Sequence, residues 1–179
     1  MTMKLIITAG MPGAGKEEFL IAAQENGIPF IRMGDVVREF YSKRDDKDSD
    51  LSTGEFANAE RDRFGFDIWA RRVVEKMYGD VFMVDGCRSR DEVKAYLGIA
   101  DDVTVIGIHA SPRTRYARLV ERGRDDAPGN IDEFEARDRR EIDWGLAETI
   151  ALADYMMINE SSLDDFRMRV KELMMRLQA

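Results

Sequence analysis

Near the start of the chain, Gly10-Met11-Pro12-Gly13-Ala14-Gly15-Lys16 fits the pattern G-x-x-x-x-G-K. Glycines let backbone N–H groups turn toward a bound oxyanion where side chains would clash. A helix beginning there adds free N–H donors and partial positive charge. The lysine reaches the outer phosphates as a mobile cation. The chemistry this spacing supports is polyphosphate binding, provided that a strand precedes the loop and a helix follows it. Leu5-Ile6-Ile7 reads as a strand buried on both faces and ended by Gly10, and Glu17 to Asn26 reads as a helix with Phe19, Leu20 and Ala23 inward. A hydroxyl that ligates magnesium normally follows the lysine, but here Glu17 and Glu18 follow it. A carboxylate can hold magnesium through water but repels phosphate. Either the metal site is rearranged or weak, or these acids simply occupy a first helical turn, where acids are favoured. A dinucleotide fingerprint is the rival, since Asp35 lies about 20 residues on. Its glycines run in the opposite order, G-x-G-x-x-G, and it contains no lysine.

Stepping outward from the loop, short apolar runs alternate with amphipathic stretches. Ile28–Ile31, Val81–Val84, Val103–Ile108 and Tyr155–Ile158 read as further strands. Gly27 and Pro29 stop the first helix. Val36 to Tyr41 starts another helix, Ser111-Pro112 is an N-cap followed by proline at the first helical position, and Ser162 or Asp164 caps the last helix. This rhythm predicts an α/β fold with about five parallel strands and helices on both faces. Two segments break it. Lys43 to Asp50 is a mixed-charge run opening a polar helical stretch that ends near Tyr78, and Arg122 to Asn130 is a loop signal between two helices. Each reads either as solvated surface or as a piece that borders a ligand.

With 179 residues, 44% hydrophobic and 35% charged, the chain is expected to be one globular domain, 1–179. Its net charge of −8 argues against binding a nucleic-acid backbone. The lone Cys87 excludes an intrachain disulfide and a cysteine-rich zinc site. No apolar run approaches the roughly 20 residues of a membrane span, and Leu5–Ile7 is too brief for a signal core. The expected compartment is the cytoplasm, with no membrane partner.

Three further motifs carry a resemblance. The loop is similar to the G-x-P-G-x-G-K-G-T of adenylate kinases. Met33-Gly34-Asp35-Val36-Val37-Arg38 is similar to their T-G-D-x-x-R, and Asp85-Gly86-Cys87-Arg88 to their D-G-x-P-R. Arg122-Gly123-Arg124-Asp125-Asp126 with Arg137 resembles the arginine-bearing lid of nucleoside monophosphate kinases, and Ala153 to Leu163 resembles the end of dephospho-CoA kinase. Nearly the whole chain is thereby similar to an archaeal family of adenylate-kinase-related, dephospho-CoA-kinase-like proteins.

The resemblance implies a P-loop nucleotide-kinase fold and an ATP-dependent kinase that uses Mg2+ and a small nucleotide acceptor, AMP first. A helical insert at about 43–78 would cover the acceptor and a short lid would lie at about 122–130. It implies that Gly10, Met11, Pro12, Gly13, Ala14, Gly15, Lys16 and Glu17 hold the donor, with Arg113 or Arg115 against its base and Asn159 bordering it. Gly34, Asp35, Arg38, Asp85, Gly86 and Arg88 would hold the acceptor. Lys16, Arg88, Arg124 and Arg137 would act on the transferring group, together with Arg122, and Arg139 or Arg140 are register alternatives to Arg137. Asp85 would hold magnesium through water, with Glu17 a second candidate. Two alternatives stand beside this reading. Dephospho-CoA as acceptor would need a base, for which Asp35 is the candidate. A non-catalytic AMP- or ATP-binding protein would explain Glu17-Glu18. Of the remaining residues, His109, Cys87, Trp69 and Trp144 read as structural, and Arg61, Arg63, Arg71 and Arg72 as surface.

Overall fold

The computed structural model describes residues 3–44, 52–123 and 127–178. In chain order the elements are β1 (Lys4–Gly10), α1 (Glu17–Glu25), β2 (Phe30–Arg32), α2 (Met33–Lys43), α3 (Thr53–Phe64), α4 (Ile68–Val74) and β3 (Val81–Asp85). There follow α5 (Arg90–Leu97), β4 (Asp102–His109), α6 (Pro112–Arg122), α7 (Ile131–Asp143), α8 (Leu146–Ala151), β5 (Tyr155–Ile158) and α9 (Leu163–Gln178). Among the described residues the sheet has the strand order β2-β3-β1-β4-β5, with every neighbouring pair parallel. The expected α/β architecture of parallel strands with helices on both faces is what is found.

Period-two alternation in β1 explains the layering. Leu5, Ile7 and Ala9 point into one core with Met33, Val36, Trp69, Val93 and Leu146, from α2, α4, α5 and α8. Ile6 points the other way, into a core with Phe19 and Leu20 of α1 and Phe166, Val170 and Leu173 of α9. Both faces of β1 are thus sealed, as the uninterrupted apolar run required.

Local signals place most boundaries. Ser111 Oγ accepts from Thr114 N at 3.3 Å and starts α6, and Ser162, rather than Asp164, caps α9 by accepting from Asp165 N at 3.2 Å. β2 begins two residues later than the apolar run suggests. Ile28 N is bonded back to Ala23 O at 2.9 Å, and Pro29 has no N–H for a ladder. The stretch ending near Tyr78 resolves into α3 and α4, separated by Gly65 at φ +100°. The run Asp45 to Asp50 lies outside the described residues, as do Arg124, Asp125 and Asp126. Beyond Asn130, which caps α7, Gly145 at φ +98° separates α7 from α8.

Helices α3 and α4 are fastened to the sheet layer through Trp69. Its ring is fully buried, its Nε1 donates to Ala57 O at 3.2 Å, and Phe40 stands edge-on to it at 6.0 Å. Replacing a buried tryptophan leaves a cavity and an unmade hydrogen bond. Trp69→Ala is expected to lower unfolding stability by about 3–5 kcal/mol, read as a lower urea midpoint.

Candidate functional site

A parallel sheet gathers the carboxyl ends of its strands at one edge. Here Gly10 ends β1, Asp85 ends β3 and His109 ends β4. The register sets Thr8 beside Asp85, and Thr8 Oγ1 donates to Asp85 Oδ1 at 2.7 Å. Between these ends lies a cavity of about 350 Å³, walled by the glycine loop, Lys16, Asp85 and Arg88 with Arg118 and Arg122 of α6 and Arg137 of α7.

The loop is held from behind by Asn159. Asn159 Nδ2 donates to Ala14 O at 2.9 Å, and its backbone N donates to His109 O at 2.8 Å. Arg118 Nη2 donates to Asn159 O and Oδ1 at 3.1 and 3.2 Å. A Cβ on Gly15 would fall 2.2 Å from Asn159 Nδ2, and the residue sits at φ +107°, so only glycine fits there. Asn159 is therefore a brace behind the loop and does not line the cavity, and neither do Met11 and Ala14.

Lys16 Nζ donates to Gly10 O at 2.6 Å and Met11 O at 3.4 Å, folded back on its own loop. Burial pushes its amine pKa below the usual lysine range. Asp85 and Glu141 oppose that shift, and Arg88 and Arg137 add to it. For Arg88 the balance goes the other way. Burial disfavours its charge, but Glu141, Glu92 and Asp85 outweigh this and raise its pKa. Cys87 is buried, and burial followed by Glu92 pushes its thiol far up, so it is an inert packed residue.

Beside this cavity lies a second of about 720 Å³, walled by Gly34, Val37 and Arg38 of α2, Thr53, Gly54 and Ala57 of α3, and Arg140 and Trp144 near the end of α7. The two share Arg38, Arg88, Arg137 and Glu141. From the stretch 43–78, Thr53, Gly54, Ala57 and Arg61 border this second cavity. Of the residues expected for an acceptor, Gly34, Arg38, Asp85, Gly86 and Arg88 border one cavity or the other. Asp35 borders neither; its carboxylate is exposed and paired with Arg38.

Arg113 is not brought to the loop. It is exposed and borders a separate hollow between α6 and α7 with Tyr116 and Phe134. Arg115 is buried as a strut, its Nη1 donating to Asp138 Oδ1 at 2.8 Å and to Pro12 O at 3.2 Å. Helical phase is the reason: Arg115, Arg118 and Arg122 share one stripe, and Arg113 lies about 200° from Arg115. The arginines of α6 that face the cavity are Arg118 and Arg122.

Glu17 borders the cavity and pairs with Arg32, while Glu18 turns outward to Arg167 Nε at 2.7 Å. Among the described residues no group of three or more His, Cys, Asp or Glu could by itself hold a metal. Asp85 and Glu17 border the cavity, where they could reach a magnesium ion only through its water, the ion itself being carried chiefly by phosphate.

Arg61 and Arg72 are not surface residues. Arg61 is 1% exposed, lies over Trp144 at 4.4 Å and pairs with the fully buried Glu92 at 3.4 Å. Arg72 pairs with Glu60 and covers Phe40 and Trp69. Glu141 was invisible as a site residue, though it stands one helical turn after Arg137. That i, i+4 spacing on α7 could have found it.

Comparison with known proteins follows the same lines. The sequence profile of a family described as AAA domain matches residues 9–135. A UPF0200 protein of Thermoplasma volcanium is 40% identical over 171 residues, covering 95% of this chain and 96% of its own. One of Hyperthermus butylicus is 40% identical over 176 residues, covering 97% and 94%. In three dimensions the chain is similar to a shikimate kinase from Bacteroides thetaiotaomicron, with a TM-score of 0.68 at 16% identity over 99% of this chain and 100% of that one. It is also similar to a gluconokinase from Sinorhizobium meliloti, with a TM-score of 0.61 at 17% identity over 97% and 93%. At such identities the likeness concerns the fold.

The Gly15 contact gives a direct test. Gly15→Ala is expected to lower stability by about 1–3 kcal/mol in urea unfolding and to weaken tripolyphosphate binding in calorimetry.

Proposed function

The chain belongs to the UPF0200 family and carries an AAA domain, and we propose that it transfers the γ-phosphoryl group of ATP to a nucleoside monophosphate, AMP first. The observation that carries this reading is the pair of cavities meeting at Arg38, Arg88, Arg137 and Glu141. The first cavity, with the loop and Lys16, takes the donor phosphates. The second, under α3 and α7, takes the acceptor. The phosphoryl group passes where the two open into each other.

Phosphoryl transfer to a phosphate needs alignment, charge neutralisation and exclusion of water more than covalent help from the protein. Arginine suits that work because its planar guanidinium stays charged and bonds two oxygens at once. Lys16 leaves its loop carbonyls for the outer phosphates. Arg88 and Arg38 grip the acceptor phosphate, and Arg137 and Arg122 approach the transferring group, with Arg124 of the 122–130 lid expected beside them. Arg118 borders the donor on the α6 side, and Asn159 acts only by bracing the loop from behind. Asp85 would hold the water of a magnesium ion carried in with ATP, which would supply neutralisation of phosphate charge.

A hydroxyl acceptor such as dephospho-CoA would need a base. Asp35 is exposed, tied to Arg38 and outside both cavities, so its placement favours a phosphate acceptor. A non-catalytic nucleotide-binding reading draws on Glu17, which is held by Arg32 where a hydroxyl would serve magnesium.

The test is a panel of acceptors, with AMP, other monophosphates and dephospho-CoA each incubated with ATP and magnesium. ADP formation from AMP is expected. Lys16→Ala should reduce transfer by about 10²-fold or more while circular dichroism stays native. Binding of AMP and ATP with no transfer to any acceptor would replace the kinase reading with the non-catalytic one.

A further inference from the structure

Glu141 is at odds with a site built to attract anions. It is only 5% exposed and lies in the wall common to both cavities. A carboxylate there repels an incoming phosphate, so its presence needs a reason in what it holds. Its Oε2 accepts from Arg88 Nε at 2.7 Å. Arg88 is pinned at two further points: Nη1 donates to Gly86 O at 3.2 Å, and the backbone N donates to Glu92 Oε2 at 2.6 Å. Nη2 is the guanidinium nitrogen left without a protein hydrogen bond among the described residues. Burial alone would push the Glu141 carboxyl up, but Arg88, Lys16 and Arg137 outweigh it and keep the group ionised.

A guanidinium fork grips two phosphate oxygens only when its plane is already set. Arginine is otherwise among the side chains with the most rotamer freedom to lose. An anchor on Nε fixes the plane during folding, so ligand binding no longer bears that entropy cost.

We propose that Glu141 is a positioning residue, which through Arg88 Nε holds the guanidinium so that Nη2 faces the anionic group of the acceptor where the two cavities meet. In naming the acceptor, the proposal rests on the phosphoryl-transfer reading. A carboxylate that only balanced the charge of Lys16, Arg88 and Arg137 would act whether or not Arg88 were present. One that positions Arg88 has its effect only through it.

A thermodynamic cycle on the full chain separates the two roles. Glu141→Ala is expected to raise the KM for AMP about tenfold or more and the KM for ATP less than about threefold. In an Arg88→Ala background the same change should cost less than about twofold. Glu141→Gln keeps an oxygen for Nε, should fall between wild type and Ala, and carries the cycle if the alanine variant fails to fold. Equal losses in both backgrounds, or an unchanged KM for AMP, would overturn the proposal and leave the kinase reading intact. If wild type transfers to no acceptor, the kinase reading fails separately. The cycle is then read as the Kd for pyrophosphate by calorimetry, where coupling of Glu141 to Arg88 supports the positioning role and additivity overturns it.

Discussion

Positive groups confined to one cavity repel each other, and the architecture around this site is arranged to make their crowding tolerable. At an effective dielectric near 20, two unit charges about 4 Å apart interact by about 4 kcal/mol. Lys16, Arg38, Arg88, Arg118, Arg122 and Arg137 all border the same hollow. Each carboxylate that answers them comes from a different element. Asp85 ends β3, Glu141 lies on α7, and Glu17 opens α1 against Arg32. Behind them Asp138 holds Arg115, and Glu92 holds Arg61 and the backbone of Arg88. The acidic excess of the chain is therefore partly a property of the site itself and not only of the outward helix faces.

This arrangement explains the buried pair of Arg61 and Glu92. A buried ion pair is poor evidence of stability, because withdrawing both charges from water costs about as much as their attraction returns. Here Glu92 also accepts from the N–H groups of Arg88 and Ser89, at 2.6 and 3.3 Å, so it closes the start of α5 while fixing the residue before it. Arg61 reaches the same carboxylate from α3 and lies on Trp144, which is bonded through Nε1 to Asn58 at 3.0 Å. The pair thereby joins the wall of one cavity to the turn that carries Arg88.

What could be read from the residues alone was what is local. Leu5 to Ile7, the glycine loop, the Ser111-Pro112 cap and Asp85-Gly86 declare strand, turn or helix start within a few positions, and each lies where expected. What could not be read was set by partners distant in sequence. Glu92 meets Arg61 across 31 positions and Glu141 meets Arg88 across 53, so the local marks they carry, a capping box with Ser89 and an i, i+4 spacing from Arg137, do not name those partners. The choice of Arg118 over Arg113 turned on helical phase relative to the sheet, which depends on how α6 seats against the loop. Ile28 is a local case at a boundary, where the helix end drew its N–H back to Ala23 and took an apolar residue away from the strand.

The order of strands in the sheet bears on how such a chain is made. β1 is synthesised first, yet it lies in the middle, and its neighbours begin at Val81 and Asp102. Its two edges stay unpaired until the chain has reached Val81 and Asp102. The brace on the phosphate loop comes later still, because Asn159 is 145 positions beyond Ala14. Pairings of such long range fold slowly and leave strand edges open meanwhile. On the ribosome the loop therefore exists as sequence long before the residue that braces it from behind has been added.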